Sequence, residues 1–448
     1  MGLKYIEQVK SVILLMLVLL SLTLTFTIWT YSPTYDTNET PILDISIAEK
    51  RRIEDVVKPY RLLLSQDEKI TGSASSGNID QVLNLMKSWE IQTVQLQDSE
   101  ATEEEINEYI TSPGRSTFFF TTDVPIKTYS NVLTFANHNL PDAGFDRLVL
   151  EWNMPVVGDE IAVTDEMKLY FISTIQRKVY SAVVDKVDKE GFSNRILKPA
   201  LNFSEYHEIV KEGKLSLFVS NNPIDAVTHT YYLGEVAPER FKDALFNNPS
   251  LVRSNPVGTN IQEFTDDSTL MKVDSLTKKL SYVHPASESE NSRTPAELIQ
   301  SSLNFVNEHN GWTDDYRYSR MNPKDQQVDY QLYFQGLPVF SNDTATEITQ
   351  YWGINRVYRY IRPYYALDTS LSLRKREMQL ASGHAVYDIL ASTPDFDIDS
   401  VEELKTGYYL SQSQGNQLNL EPSWYYLLNG TWNRVSPETL GGGNFGLE

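Results

Sequence analysis

An uncharged stretch near the N-terminus is the strongest hydrophobic feature of the chain. Residues 11–31 carry no charge, and twelve of these twenty-one residues are Leu, Ile, Val or Phe. A helix of that length rises about 30 Å, the thickness of the hydrocarbon core of a bilayer. Trp29 and Tyr31 stand at its end, where amphipathic rings favour the headgroup layer. The pattern predicts a single transmembrane helix at 11–31.

The residues around this helix predict its processing and orientation. A cleaved signal peptide is the alternative, but it needs an A-x-A-like pattern after its apolar core, and none follows here. Lys4 and Lys10 precede the helix against one Glu7, whereas the first charge after it is Asp36. The positive-inside rule then makes residues 1–10 a cytoplasmic stub. We expect a single-pass protein of the cell membrane, with its N-terminus in the cytoplasm and the bulk of the chain extracytoplasmic.

After the helix, strand-like runs follow one another with helices between the groups, which is typical of α+β folds rather than alternating α/β folds. We expect a multi-domain ectodomain of antiparallel sheets with flanking helices. Apolar spacing and cap residues, including two capping boxes at Thr102/Glu105 and Thr294/Glu297, predict helices at 47–64, 78–89, 102–110, 204–213, 238–246, 294–310, 372–391 and 401–405. β-favouring runs predict strands at 115–121, 147–152, 168–175, 178–184, 214–219, 226–233, 270–273, 279–283, 316–320, 327–334, 337–340, 346–352, 356–360, 407–411, 418–428 and 431–435.

Breaks rich in Pro, Gly and polar residues indicate how the exported part is divided. SPTYDTNETP follows the membrane helix, NMPVVGD and SESENSR interrupt the strand-like runs, and GGGNFGLE ends the chain. We predict a linker at 32–42, three α+β domains at 43–155, 156–286 and 287–440, and a disordered tail at 441–448.

Charge and cysteine content narrow the possible functions. The chain has 39 Lys and Arg against 60 Asp and Glu, a net charge of −21, and this sign repels nucleic acid. It has no cysteine, which excludes disulfides, thiol catalysis and a lipoprotein anchor. We therefore expect no nucleic-acid partner, and anchoring by the helix alone.

Motifs for catalysis are sparse. The six histidines never form H-E-x-x-H or another close pair, so structural roles are favoured for them. Ser275 and Lys278 have the S-x-x-K spacing of penicillin-binding serine enzymes, but no K-T-G motif accompanies them. We predict that the protein is not an enzyme and that it has no cofactor and no metal site.

An acidic alternation resembles the start of a calcium loop. Asp395, Asp397 and Asp399 could place oxygen ligands on one cation, but the sixth position is Ser400 rather than Gly and the twelfth is Thr406 rather than Glu. An acidic turn leading into the last short predicted helix is favoured.

Aromatic residues are concentrated in the last predicted domain. They could stack on sugars or hold an extended peptide, but core and cross-strand packing is favoured because strands are enriched in such residues. The set comprises Tyr351, Trp352, Tyr358, Tyr360, Tyr364 and Tyr365.

The predicted membrane helix ends in TIWTYSPTYD, and the C-terminal part contains YQLYFQGLPVF, GYYL and LEPSWYYLLNGTWNRV. Together these motifs resemble the YycH (WalH) family over nearly the full chain. The resemblance implies a non-enzymatic accessory regulator of the WalK/WalR (YycG/YycF) two-component system, which controls wall metabolism. It also implies a YycI-type protein, as a heterodimer, and the sensor histidine kinase as partners, with transmembrane helices taking part. The predicted domain at 287–440 is similar to the sister protein YycI.

Hydroxyl side chains of the membrane helix form two rows that could contact such a partner. Ser21 and Thr25 make one row, and Thr23, Thr27 and Thr30 make the other. Helices in lipid associate through small residues and interhelical hydrogen bonds. The alternative is that these hydroxyls bond to their own helix at i−4.

Two other functions stay open. The ectodomain could be a binding module that senses a wall fragment, a peptide or a secreted protein. The third class is a wall hydrolase or a protease inhibitor, because a pattern related to YQLYFQGLPVF in the last predicted domain also occurs in peptidase propeptide-like domains.

Overall fold

The structure is a computed structural model, and it separates into two units, Met1–Asp44 and Ile45–Glu448. It describes residues 10, 13–25, 49–66, 69–152, 156–157, 160–161, 167–285, 293–309, 311–354, 356–371, 375–413 and 416–435. The predicted linker and tail, and most of the cytoplasmic stub, lie outside these residues.

In the first unit, residues 13–25 are helical, with large apolar side chains that are 49–71% exposed. The rest of the predicted membrane span, residues 11–12 and 26–31, lies outside the described residues. Among those that are described, no helix has both the length and the apolar character needed to cross a membrane.

Helices are few in the described part of the second unit. They are α1 (Ile53–Val56), α2 (Ser76–Met86), α3 (Glu103–Thr111), α4 (Ile126–Tyr129), α5 (Lys189–Phe192), α6 (Lys198–Ala200), α7 (Pro238–Leu245), α8 (Pro295–Glu308) and α9 (Gly383–Ala391), with a π-helical turn at Ser193–Leu197 and 3₁₀ turns at Pro249–Leu251 and Ile398–Ser400. Both predicted capping boxes are confirmed. Thr102 caps α3 with Glu105, and Thr294 caps α8 with Glu297.

Ten strands form the first sheet, in the order β12-β11-β2-β1-β5-β6-β9-β10-β3, with β4 also on β10. All of its pairings are antiparallel. The strands are β1 (Arg61–Gln66), β2 (Lys69–Ser73), β3 (Glu90–Ile91), β4 (Gln95–Asp98), β5 (Arg115–Pro125), β6 (Gly144–Glu151), β9 (Met167–Ser173), β10 (Lys178–Asp185), β11 (Ser204–Ile209) and β12 (Leu217–Ser220); β7 (Val156–Val157) and β8 (Glu160–Ile161) pair separately.

Fifteen strands form the second sheet, in the order β14-β15-β16-β17-β22-β21-β19-β20-β25-β26-β13-β23, with β18 on β19, β24 on β13 and β27 on β26. Its strands are β13 (Ile224–Glu235), β14 (Arg253–Val257), β15 (Ile261–Thr265), β16 (Leu270–Asp274), β17 (Lys279–Val283), β18 (Asp315–Asn322), β19 (Gln327–Phe334), β20 (Leu337–Phe340), β21 (Glu347–Trp352), β22 (Val357–Pro363), β23 (Tyr365–Ser370), β24 (Arg376–Leu380), β25 (Val401–Ser413), β26 (Gln417–Leu428) and β27 (Thr431–Arg434). The mixed α+β architecture with large antiparallel sheets confirms the α+β part of the predicted fold class, whereas the transmembrane helix stays a prediction. The three-domain division stays a prediction.

The apolar run of β5 shows why the first sheet is stable. Phe118 and Phe120 lie in the main core, whereas Phe119, between them, lies in a second apolar cluster with Ile106 of α3. Successive strand residues point to opposite faces. Three consecutive buried phenylalanines are therefore accommodated because both faces of the sheet are covered.

Four predicted helices are wrong in whole or in part. Residues 204–209 and 401–405 belong to β11 and β25, and residues 376–380 form β24 ahead of the short α9. The predicted helix at 47–64 is reduced to α1, and β1 follows it. In each case pairing with another strand outweighs local helix propensity, which is a weak preference of less than about 1 kcal/mol per residue.

Candidate functional site

The hydroxyl rows predicted on the N-terminal helix are described in part. The Thr23 Oγ1 hydroxyl lies 3.0 Å from the carbonyl oxygen of Leu19, and Thr25 Oγ1 donates to that of Ser21 at 2.8 Å. These bonds are of the i−4 kind that the alternative interpretation proposed. Thr27 and Thr30 lie outside the described residues, and a partner contact through either row stays a prediction.

A buried ionic cluster joins the first sheet to the second. Arg61 of β1 donates from Nη2 to the Glu403 carboxylate of β25 at 3.2 Å, and Tyr60 Oη donates to Glu403 Oε2 at 2.7 Å. A second nitrogen of Arg61 donates to the Phe218 carbonyl at 2.9 Å. Arg61 and Glu403 are 3% and 8% exposed, so the pair is shielded from water and ions. This cluster fixes two strands that are 342 residues apart in the chain.

Lys405 adds a second buried cation beside this pair. It follows Glu403 by two residues on β25, and its Nζ lies 3.7 Å from the Trp432 ring centroid and 4.9 Å from that of Tyr60. Burial lowers the pKa of Lys405 to about 7, with Glu403 raising it and Arg61 lowering it further. The aromatic rings supply cation–π attraction, which compensates in part for lost hydration.

A small cavity adjoins this cluster. It has a volume of about 30 Å³, and Arg61, Tyr206, Lys405 and Trp424 are among its lining residues. That volume suits a water-sized group rather than a metabolite. We therefore interpret the cluster as a structural junction between the two sheets.

The β19–β20 hairpin provides a second junction. Its turn, Gln335–Gly336, has positive φ values of 50° and 86°, and a Cβ on Gly336 would lie 2.8 Å from Ser76 Oγ. On β18, Arg317 donates to Ser76 Oγ at 2.9 Å, and Tyr318 Oη donates to the Asp123 carbonyl at 2.8 Å. The motif YQLYFQGLPVF thus contributes a turn that packs against the N-terminal end of α2, just after strand β2 of the first sheet.

A larger cleft of about 360 Å³ opens on the second sheet. Strands β17, β20, β21, β22, β25, β26 and β27 and the loop 341–346 line it. Its volume lies within the range of small-molecule sites. The principal lining side chains are Phe340, Thr344, Glu347, Tyr409, Tyr425, Trp432 and Arg434.

The residues considered for catalysis are occupied elsewhere. Ser275 Oγ donates to the Asn260 carbonyl at 3.1 Å, whereas Lys278 Nζ pairs with Glu235 at 2.6 Å, so the two side chains bind different partners. In the described part of the chain there is no group of three or more potential metal ligands among His, Cys, Asp and Glu. Lack of enzymatic activity stays a prediction.

The predicted acidic turn contains Asp395, Asp397 and Asp399. Asp397 caps the 3₁₀ turn Ile398–Ser400, because its carboxylate accepts a hydrogen bond from the backbone N–H of Asp399 at 3.2 Å. The acidic turn is therefore present, but a strand follows it instead of the predicted helix.

The aromatic residues singled out in the sequence belong mostly to the core. Trp352, Tyr360, Tyr364 and Tyr365 are at most 6% exposed. The aromatic wall of the cleft consists of different residues, from β20, β25, β26 and β27. All four lie in the motifs quoted above for the family resemblance. No spacing in the sequence shows, however, that these four strands meet at one cleft.

Two family models cover most of the chain. The model of the YycH protein N-terminal domain matches residues 7–191, and that of the YycH protein C-terminal domain matches residues 214–439. The chain belongs to the YycH family. The ionic cluster therefore joins its two family regions, since Arg61 lies in the first and Glu403 in the second.

Two similar proteins support this assignment. The Bacillus subtilis (strain 168) protein described as two-component system WalR/WalK regulatory protein YycH is 21% identical over 473 residues, covering 99% of both chains. The crystal structure of YycH from Bacillus subtilis matches with a TM-score of 0.73 and 19% identity, over 87% of this chain and 99% of that one. At that identity, the structural match is evidence for a shared YycH fold.

Proposed function

We propose that this chain is a non-enzymatic, membrane-anchored regulator of a WalK/YycG-type sensor histidine kinase. It acts in complex with a YycI-type partner, through transmembrane and extracytoplasmic contacts. The observation that carries the proposal is the family match, because both YycH regions are present in order and the relative that matches over 99% of its length is described as a WalR/WalK regulatory protein.

The properties of the N-terminal helix support membrane anchoring. Side chains from Ile13 to Leu20 are apolar and largely exposed within the first unit. A continuous apolar surface of this kind is stable in lipid or against other apolar helices, rather than in water. The flanking charges of the sequence support an extracytoplasmic position for the second unit.

The test is a reconstitution of full-length kinase in lipid nanodiscs, with and without this chain and its YycI-type partner. We expect the rate of kinase autophosphorylation to change in the presence of both proteins. An unchanged rate, with incorporation of all components verified, would contradict the proposal.

A helix variant tests the transmembrane part separately. Replacing Ser21, Thr23, Thr25 and Thr27 with Leu keeps the helix apolar, removes the first hydroxyl row and leaves only Thr30 of the second. We expect weaker crosslinking to the partner helices, whereas a control that replaces Leu15 and Leu22 with Ile should crosslink normally. Unchanged crosslinking of the hydroxyl variant would exclude the rows as the contact surface.

A further inference from the structure

The cleft on the second sheet has a rigid floor. Strands β20 and β21 pair with different parts of β19: β21 with residues 327–331, and β20 with Tyr333 and Phe334. The loop 341–346, which connects β20 to β21, therefore spans the gap between these two strands. Gln331, which is 4% exposed, donates from Nε2 to the carbonyl oxygens on both sides of the gap, those of Val339 and Thr346. The gap between the strands is thus held open by a buried amide.

The loop that forms the rim of the cleft is also fixed. The Ala345 N–H donates to the Thr277 carbonyl at 3.0 Å, and the Ala345 carbonyl accepts from Tyr365 Oη at 2.8 Å. Ser341 Oγ accepts from the backbone N–H groups of two residues in the same loop. A loop that is already ordered in this way loses little conformational entropy when a ligand binds.

One wall of the cleft is aromatic. The Phe340 ring lies 4.4 Å from Tyr425 and 6.1 Å from Trp432, centroid to centroid, and Arg434 stacks on Tyr409 at 4.1 Å. Lys405 contacts the Trp432 ring and holds it in place. Rings of this kind present a flat apolar face to a ligand.

Two hydroxyl groups of the cleft have no hydrogen-bond partner among the described residues. They are Tyr425 Oη and Thr344 Oγ1, on side chains that are 2% and 5% exposed. A buried hydroxyl without a hydrogen-bond partner lowers the stability of the protein, so a ligand that forms a hydrogen bond with it gains binding free energy. Ser341, Asn342, Thr346 and Thr349 add polar groups around them.

The charges that line the cleft oppose one another. Arg434 is paired with Glu421 at 2.8 Å, and Lys279 and Glu347 carry opposite charges. A strongly anionic or cationic ligand would meet a charge of its own sign. Strand addition by a peptide to β20, β21 or β22 is also disfavoured, because each of these strands is paired on both edges. Of the described strands that line the cleft, β27 pairs with β26 alone.

We infer that this cleft binds an uncharged, polyhydroxylated ligand of the glycan class. A pyranose ring packs its C–H face against an aromatic ring, and its hydroxyls bond to side-chain hydroxyls and amides. The inference goes beyond regulation of a kinase and does not depend on it.

The experiment measures binding of chitotetraose, cellotetraose and maltotetraose to the full-length chain in lipid nanodiscs, by calorimetry and by tryptophan fluorescence. Tyr425→Phe and Thr344→Val each remove one unpartnered hydroxyl while keeping the side-chain shape. Each should weaken binding of the recognised glycan about fivefold, the equivalent of one hydrogen bond. Thermal unfolding of both variants should occur at the same or a higher temperature, because each loses a buried hydroxyl that has no partner among the described residues.

Two matched variants control for the loss of a buried hydroxyl as such. Tyr129→Phe and Thr117→Val also remove hydroxyls without a partner among the described residues. Tyr129 lies in α4 and Thr117 in β5 of the first sheet, and neither lines the cleft. Both variants should bind the glycan as the unmodified chain does. Binding of none of the three glycans at millimolar concentration would overturn the inference. So would equal affinity of the cleft and control variants, or binding of tetraalanine in place of the glycans.

Discussion

Replacing Glu403 with Gln tests the buried junction between the two sheets. The change keeps the shape of the side chain and an acceptor for Tyr60, but it removes the negative charge that faces Arg61. The charged groups of Arg61 and Glu403 are 3.2 Å apart, with side chains 4% and 10% exposed. At an effective dielectric constant of about 20, such a pair attracts by about 5 kcal/mol.

The expected loss of stability is smaller than this Coulomb energy. Gln keeps part of the hydrogen bonding, but the buried Arg61 guanidinium then faces no anion, and Lys405 loses the carboxylate that raises its pKa. Removing one partner of a buried pair costs about 3–5 kcal/mol, and we expect about 3 kcal/mol for Glu403→Gln. The double variant Arg61→Met/Glu403→Gln should recover part of the loss, because it removes both charges.

The assay is urea unfolding of the solubilised full-length chain at pH 7, followed by tryptophan fluorescence. An exposed ion pair of similar geometry is the control: Lys127 and Asp142 are 3.3 Å apart, with side chains 45% and 61% exposed. Asp142→Asn should cost less than about 1 kcal/mol. If Glu403→Gln cost no more than Asp142→Asn, the junction would not stabilise the fold as we argue.

Three further variants test burial and backbone geometry. Lys405→Met should raise the free energy of unfolding by roughly 1–3 kcal/mol at pH 7, measured by urea unfolding. Because burial lowers the lysine pKa to about 7, the unmodified chain gains stability between pH 7 and the ordinary lysine pKa. The difference between the variant and the unmodified chain should therefore shrink toward pH 10. Burial raises the pKa of Asp314 to about 7, so the unmodified chain loses stability as pH rises toward 7. The stability of Asp314→Asn relative to the unmodified chain should therefore increase from pH 4 to pH 7 and reach roughly 2 kcal/mol. A stability difference that stays constant with pH would contradict this prediction. Gly336→Ala should lower the melting temperature more than Gly430→Ala. Both glycines have positive φ, but only a Cβ at position 336 would contact Ser76. Equal decreases in melting temperature would contradict the proposed contact with Ser76.

Much of the second sheet could be predicted because its strands carry local signals. The run at 327–340 combines β-favouring residues with a Gln-Gly turn, and the structure places Gln335 and Gly336 between β19 and β20. The helix at 294–310 could be predicted equally well, because its capping-box residues and Pro295 are close together in the sequence. These features depend on neighbours a few residues apart.

Features that depend on distant residues could not be predicted in this way. VEELK at 401–405 has good helix formers, but it pairs with β26 as a strand. Arg61 and Glu403 meet only through the arrangement of the two sheets. The cleft combines side chains from seven strands. The Tyr425 and Thr344 hydroxyls lack a partner among the described residues because of what surrounds them in the fold, which no motif specifies.

The most direct test of the proposed function is copurification. The tagged full-length chain would be crosslinked in native membranes, solubilised and isolated, and its partners identified by mass spectrometry. We predict recovery of a YycI-type protein together with a WalK/YycG-type sensor kinase. Recovery of neither protein, from membranes that contain both, would contradict the account.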